Sequence, residues 1–181
     1  ASARAAAVRT FSSESLSAVR NAASACGPPN MPSAVASDAF FGPGAVAGTY
    51  FVQALSVSPL ALLASIPIGA LATAILVVNN LRDIETDARA GKHTLAVRLG
   101  DGPTRSYYLL LLIVAYAVPL LLWWRGLADA WVLLPWLSLP LALQLARRMR
   151  HEGGLALNGC LVRTAHLEVV FGLLFALGLA W

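Results

Sequence analysis

The stretch Val77–Gly100, VVNNLRDIETDARAGKHTLAVRLG, decides how the rest of the chain is read. It follows an apolar run almost free of charge and then brings Arg82, Asp83, Glu85, Asp87, Arg89, Lys92 and Arg98 close together. Charge of both signs at the end of a membrane-type helix is costly and calls for a reason. If Val77 to Arg89 is helical, at ~100° per residue, Asn79, Asn80, Asp83 and Asp87 fall within an arc of roughly 100°, with Glu85 opposite. Cβ atoms at i and i+4 lie about 5–6 Å apart, so Asp83 and Asp87 can hold one hard divalent cation between them. Mg²⁺ takes one or two protein carboxylates and completes its shell with water and phosphate oxygens. The amides of Asn79 and Asn80 can orient the carboxylates or donate to phosphate oxygens. Arg89, Lys92 and Arg98 add positive charge just beyond the helix, and the set suits capture of a diphosphate. The same residues also fit a solvated loop in which carboxylates partner arginines and the basic residues set membrane orientation. Spacing alone leaves both readings open.

Composition fixes the class. The chain has 181 residues, 58% of them hydrophobic, with a mean hydropathy of +0.70 and only 12% charged. Soluble domains carry about 25% charged residues, so this is a polytopic membrane protein. The net charge of +4 is small and the basic residues gather at segment ends. That distribution fits membrane orientation and excludes the basic face that nucleic-acid binding needs. Cys26 and Cys160 are far apart and without metal-ligand spacing, so neither a disulfide framework nor a zinc site is implied.

The expected fold is all-α, a helix bundle embedded in the lipid bilayer with five membrane helices in this chain. Asp38–Val57, with Gly42, Gly44 and Gly48 for close packing, is the first; Tyr50 is an interfacial anchor near its end. Leu60 to Arg89 reads as one helix of ~45 Å. That exceeds a ~30 Å hydrocarbon core, so its charged end projects beyond the membrane. Ala90 and Gly91 stop it. Thr94–Leu99 is a short apolar segment, a lid or an interfacial piece. Asp101, Gly102 and Pro103 read as a turn, with Thr104 capping the next helix. Tyr107–Trp124, Ala130–Ala146 with Pro135 and Pro140, and Asn158–Trp181 are the remaining spans. Five Lys/Arg lie between Arg82 and Arg105 and three between Arg147 and Arg150, against none at Ser56–Pro59 and one at Arg125–Asp129. The positive-inside rule then puts the aspartate stretch on the cytoplasmic side and Trp181 at the opposite interface.

Arg163, His166 and Glu168 are polar within the last span. Either they approach a cavity, Arg163 as the partner of an anionic group, or Arg163 snorkels to the headgroups and the other two pair with neighbouring helices. His93 and His151 read as solvated. Residues 1–37 are rich in Ala, Ser, Arg and Pro, with Glu14 the sole acid. Such a leader matches an organelle transit peptide, a disordered tail or an artefact of the gene start.

NNLRDIETDARAGKHTLAVRLG resembles the second aspartate-rich motif of the UbiA-type intramembrane prenyltransferases, most closely the branch that prenylates 1,4-dihydroxy-2-naphthoate in menaquinone synthesis. FFGPGAVAGTYFVQ (Phe40–Gln53) and LNGCLVRTAHLEVVFGLLFALGL (Leu157–Leu179) resemble the same branch. The resemblance covers about Phe40 to Trp181. It implies a fold of about nine helices, of which residues 38–181 are the C-terminal part behind the leader, in a bacterial inner membrane. It implies Mg²⁺ on Asp83 and Asp87, a polyprenyl diphosphate held with the help of Asn79, Asn80, Arg82, Lys92 and Arg98, and dihydroxynaphthoate as the aromatic acceptor. The family's first motif, an NDxxDxxxD-like run, has no counterpart in this sequence. Other readings are a sibling enzyme with another acceptor, a membrane transport or assembly protein using the polar helix end as an ion site, and an inactive fragment.

Overall fold

The computed structural model describes residues 59–181, and the expected first span and the leader lie outside them. The described elements are all helical: α1 (Pro59–Arg82), α2 (Ile84–Arg89), α3 (Leu95–Leu99), α4 (Asp101–Trp124), a 3₁₀ helix (Ala130–Ser138), α5 (Leu139–His151), a 3₁₀ turn (Gly154–Ala156) and α6 (Leu157–Ala180). Four stretches are long and apolar enough to cross a membrane: Pro59–Arg82, Asp101–Trp124, Ala130–His151 and Gly154–Ala180. A 24-residue helix such as α1 is ~36 Å long, enough to pass a ~30 Å hydrocarbon core.

α1 packs against α4 and α6, and the 3₁₀ helix against α6 and α4. Small residues on α1 allow its close packing. Ala64, Ala70 and Ala74 are buried beside Leu71, Val78 and Leu81, and small side chains let apolar helices approach where lipid offers no hydrophobic drive. α1 and α6 run antiparallel. Arg82 meets Asn158 at 3.0 Å at one end, and fourteen residues inward on each helix Ile68 lies 3.8 Å from where a Cβ on Gly172 would stand. At Gly178 a Cβ would collide with the Trp131 carbonyl, so α6 touches the 3₁₀ backbone directly there. Tyr116 of α4 meets Phe171 of α6 edge-on at 5.3 Å, and the Tyr108 and Thr164 hydroxyls pair at 3.0 Å.

Three expectations are corrected. The long helix Leu60–Arg89 is divided at Asp83, whose φ of −97° and ψ of 11° leave the helical region. The i→i−4 bonds Asp83 N–H to Asn79 O (3.1 Å) and Asp87 N–H to Asp83 O (2.8 Å) still run across the junction. The expected turn Asp101–Pro103 is the first turn of α4; the corner falls one residue earlier at Gly100, with φ of 82°. Pro103 is tolerated there because N–H groups of a first helical turn have no intrahelical acceptor. Thr104 does not cap the helix, since its hydroxyl donates back to Gly100 O at 2.6 Å. Ala130–Ala146 is not one α-helix either. Its first nine residues are 3₁₀ and α5 extends past Ala146 to His151. Pro135 and Pro140 each remove an N–H and crowd the carbonyl four residues back; the tighter winding absorbs Pro135, and Pro140 falls at the start of α5, where it costs little.

Candidate functional site

One end of the bundle collects four helix termini. Arg82 ends α1 and bonds to Asn158 in the first turn of α6. Arg105, in the first turns of α4, donates to the Met149 and Glu152 carbonyls at the end of α5. Asp101 holds that guanidinium from the other side at 2.6 and 2.8 Å. The helix connections carrying the aspartate stretch lie at this same end.

Arg82 organises the polar residues. Its Nε and one Nη donate to both oxygens of Asp83 at 2.8 and 2.5 Å. The same Nη reaches Asn79 Oδ1 at 2.9 Å. The guanidinium beside Asp83 holds that carboxyl below the ordinary carboxylate range. Asp87, one turn on, is buried, and its carboxylate accepts from Lys92 Nζ at 3.1 Å. The Lys92 N–H also donates to Asp87 O at 2.9 Å, which folds the chain back after Gly91 in its left-handed conformation. Glu85 points away and meets Arg89 at 3.5 Å on the exposed side. Asn80 is half-buried, while Arg98 lies exposed in the last turn of α3, whose N-cap Thr94 accepts from Val97 N–H at 3.4 Å.

The predicted set is therefore brought to one bundle end but not into one cluster. Asn79, Arg82 and Asp83 form one hydrogen-bonded group, and Asp87 with Lys92 forms a second. Among the described residues no three or more metal-ligating side chains converge. Two carboxylates with a neighbouring amide oxygen are the hard oxygen donors that suit Mg²⁺, which fills its remaining positions from water and phosphate. Asn158 joins the site from the far end of the sequence, and reading along the chain did not single it out. Its signal is an amide in the first turn of an apolar helix, shortly after Gly153 and Gly154. Arg163 donates to Gln144 of α5 at 3.2 Å. The expected pairing of His166 and Glu168 with neighbouring helices is not found: among the described residues neither makes a hydrogen bond or ion pair, His166 being exposed and Glu168 half-buried.

Residues 32–155 match the UbiA prenyltransferase family. The chain belongs to the UbiA prenyltransferase family. It is 46% identical over 143 residues to the 1,4-dihydroxy-2-naphthoate octaprenyltransferase of Mycobacterium tuberculosis, covering 78% of this chain and 48% of that protein. It is 38% identical over 141 residues to the Escherichia coli protein of the same name, covering 77% and 46%. The mouse UbiA prenyltransferase domain-containing protein 1 is likewise 38% identical over 141 residues, covering 77% and 40%. The chain thus spans about half the length of the curated relatives it matches. Membership of the UbiA family agrees with the all-α membrane bundle and with the resemblance carried by the aspartate stretch.

Proposed function

We propose that this chain carries the diphosphate-binding half-site of an enzyme that moves a polyprenyl chain from its diphosphate to 1,4-dihydroxy-2-naphthoate, with Mg²⁺ as cofactor. The observation that carries the reading is the placement of Asp83 and Asp87 one helical turn apart, at the end of a membrane-length helix, each beside its own cation. Relatives named as 1,4-dihydroxy-2-naphthoate octaprenyltransferases supply the acceptor and the class of donor.

Asp83 and Asp87 would hold the metal, with Asn79 supplying an amide oxygen next to them. Bound there, Mg²⁺ supplies the positive charge that makes diphosphate a leaving group. Arg82, Lys92 and Arg98 share the charge that develops on the departing oxygen, because cations already in place need little reorganisation during the reaction. Asn79 and Asn80 donate to phosphate oxygens and orient them. The bond from the prenyl carbon to the diphosphate oxygen breaks, the allylic carbon bonds to a ring carbon of the acceptor, and the ring's carboxylate is lost as CO₂. Apolar walls keep water from the allylic cation. The aspartate end faces the cytoplasm of a bacterial cell, following the basic residues at that end.

The test is product formation in membranes containing the protein, with polyprenyl diphosphate and dihydroxynaphthoate supplied together or singly. Prenylated naphthoquinol should require both substrates and disappear on chelation of divalent cations. Product with 4-hydroxybenzoate but not with dihydroxynaphthoate would overturn the acceptor assignment. Prenyl-independent ion flux in sealed vesicles would overturn the enzyme reading.

A further inference from the structure

We propose that the cleft between α4 and α5 binds one anionic phospholipid, with an acyl chain along the cleft and the headgroup phosphate on Arg150. The cleft holds about 460 Å³ and is walled by Ile113, Tyr116 and Leu120 on one side and Trp136 and Leu143 on the other, with Arg150 at its end. Its walls offer almost nothing polar. The Tyr116 hydroxyl is taken by Ser138 at 2.6 Å, and Ser138 is itself bonded to the Pro135 carbonyl. Whatever fills the cleft is therefore apolar along its length.

Length and lining suit the chain of an amphiphile. The α4 wall runs from Leu109 to Leu120, ~16 Å at 1.5 Å per residue. A single long acyl chain matches the length and the apolar lining.

Charge selects the headgroup. Arg150 is exposed and, among the described residues, makes no hydrogen bond or ion pair. Arg147 and Arg148 wall a second cleft of about 700 Å³ that shares Leu143 with the first, so cations flank α5 on both sides at this end. Of these, Arg148 faces Glu152 at 3.6 Å, and of the three arginines only Arg150 lines the first cleft. Basic residues between helices at a membrane surface attract anionic headgroups, and a zwitterionic lipid would present its own cation to the same arginines. The site is independent of the aspartate stretch and does not rest on the reaction proposed above.

The test uses the full chain in vesicles of phosphatidylcholine or phosphatidylglycerol with brominated acyl chains, which quench tryptophan on contact. The Trp136 signal is the difference between the native chain and Trp136→Phe. Quenching of Trp136 should reflect about fivefold tighter occupancy by phosphatidylglycerol than by phosphatidylcholine, the size expected of one surface arginine facing anionic lipid. Arg150→Gln should reduce that preference to near unity; among the described residues its side chain makes no hydrogen bond or ion pair, so their packing is left intact. Equal quenching by the two lipids, or a preference that survives Arg150→Gln, would overturn the proposal. So would absence of quenching by either lipid, which would mean that protein covers the cleft. Displacement of brominated phosphatidylglycerol from Trp136 by farnesyl diphosphate would reassign the cleft to a prenyl diphosphate.

Discussion

Arg82 grips the carboxylate of its own sequence neighbour, Asp83, through two hydrogen bonds of 2.8 and 2.5 Å. Adjacent residues on a regular α-helix do not face each other. The pair therefore forms only where the helix departs from regular geometry, and α1 ends at this point. The other Nη reaches Asn158 at the start of α6. A single guanidinium thus joins the end of one span, the junction bearing the first carboxylate and the start of another span.

Replacing Arg82 with Gln should release Asp83 and the tie to Asn158. The ion pair is open to solvent, so water screens it and its contribution to stability is small. Prenyl transfer, by contrast, should fall by roughly tenfold or more, the scale of losing one charged contact to a developing anion. Arg82→Lys should not restore full turnover, because an ammonium lacks the planar fork that reaches Asp83, Asn79 and Asn158 together. Parallel measurement of turnover and thermal unfolding in detergent separates the two effects. Full activity in Arg82→Gln would show that Asp83 needs no orienting partner.

Arg105 predicts the opposite pattern. It satisfies two main-chain carbonyls at the end of α5, and most of its side chain is sheltered. Charge-assisted bonds of this kind contribute about 1.5–3 kcal/mol each, and an unsatisfied carbonyl adds its own cost. Arg105→Ala should lower the unfolding temperature clearly. An unchanged melting profile would show that water serves those carbonyls as well as Arg105 does.

Two glycines of α6 make a matched pair. Gly178→Ala drives a methyl into the Trp131 carbonyl, a main-chain atom that cannot swing away. The overpacking cost is about 1–3 kcal/mol. Gly172→Ala meets only the end of Ile68 at an ordinary 3.8 Å and should be neutral or slightly stabilising. Thermal unfolding of both variants in the same detergent decides; equal melting temperatures would contradict the close approach of α6 to the 3₁₀ helix.

Acidification has a defined sign at Asp83. The bond from Arg82 depresses its folded pKa. A carboxyl with a depressed folded pKa contributes stability above its unfolded pKa and loses it as pH falls through the folded value. The Arg82–Asp83 pair should therefore outlast ordinary surface carboxylates during acid titration. The carboxylate infrared band lost in Asp83→Asn reports this directly; protonation of Asp83 together with the bulk carboxylates would contradict it.

The helical class, the number of described spans and the residues of the aspartate stretch were all legible in the sequence, because apolar length and charge placement are local properties. Boundaries were less so. The break at Asp83 depends on a neighbour pair whose geometry no periodicity encodes, and the 3₁₀ start of Ala130–Ser138 depends on how Pro135 is accommodated. The contribution of Asn158 is long-range, set by the antiparallel register of α1 and α6. That His166 and Glu168 have no hydrogen-bond or ion-pair partner among the described residues was likewise invisible, since it is decided by which neighbours the bundle brings near.

On the proposed function, Asp83 and Asp87 serve chemistry and not folding. Asp83→Asn and Asp87→Asn keep the shape of each side chain and remove the charge that holds a divalent cation. The decisive measurement is the prenylated naphthoquinol formed per milligram of membrane-inserted protein, native against each variant, at saturating substrates and Mg²⁺. Product should fall by about 100-fold or more in both variants, while membrane insertion and unfolding temperature stay near the native values. Near-normal turnover in either variant would remove that carboxylate from the site.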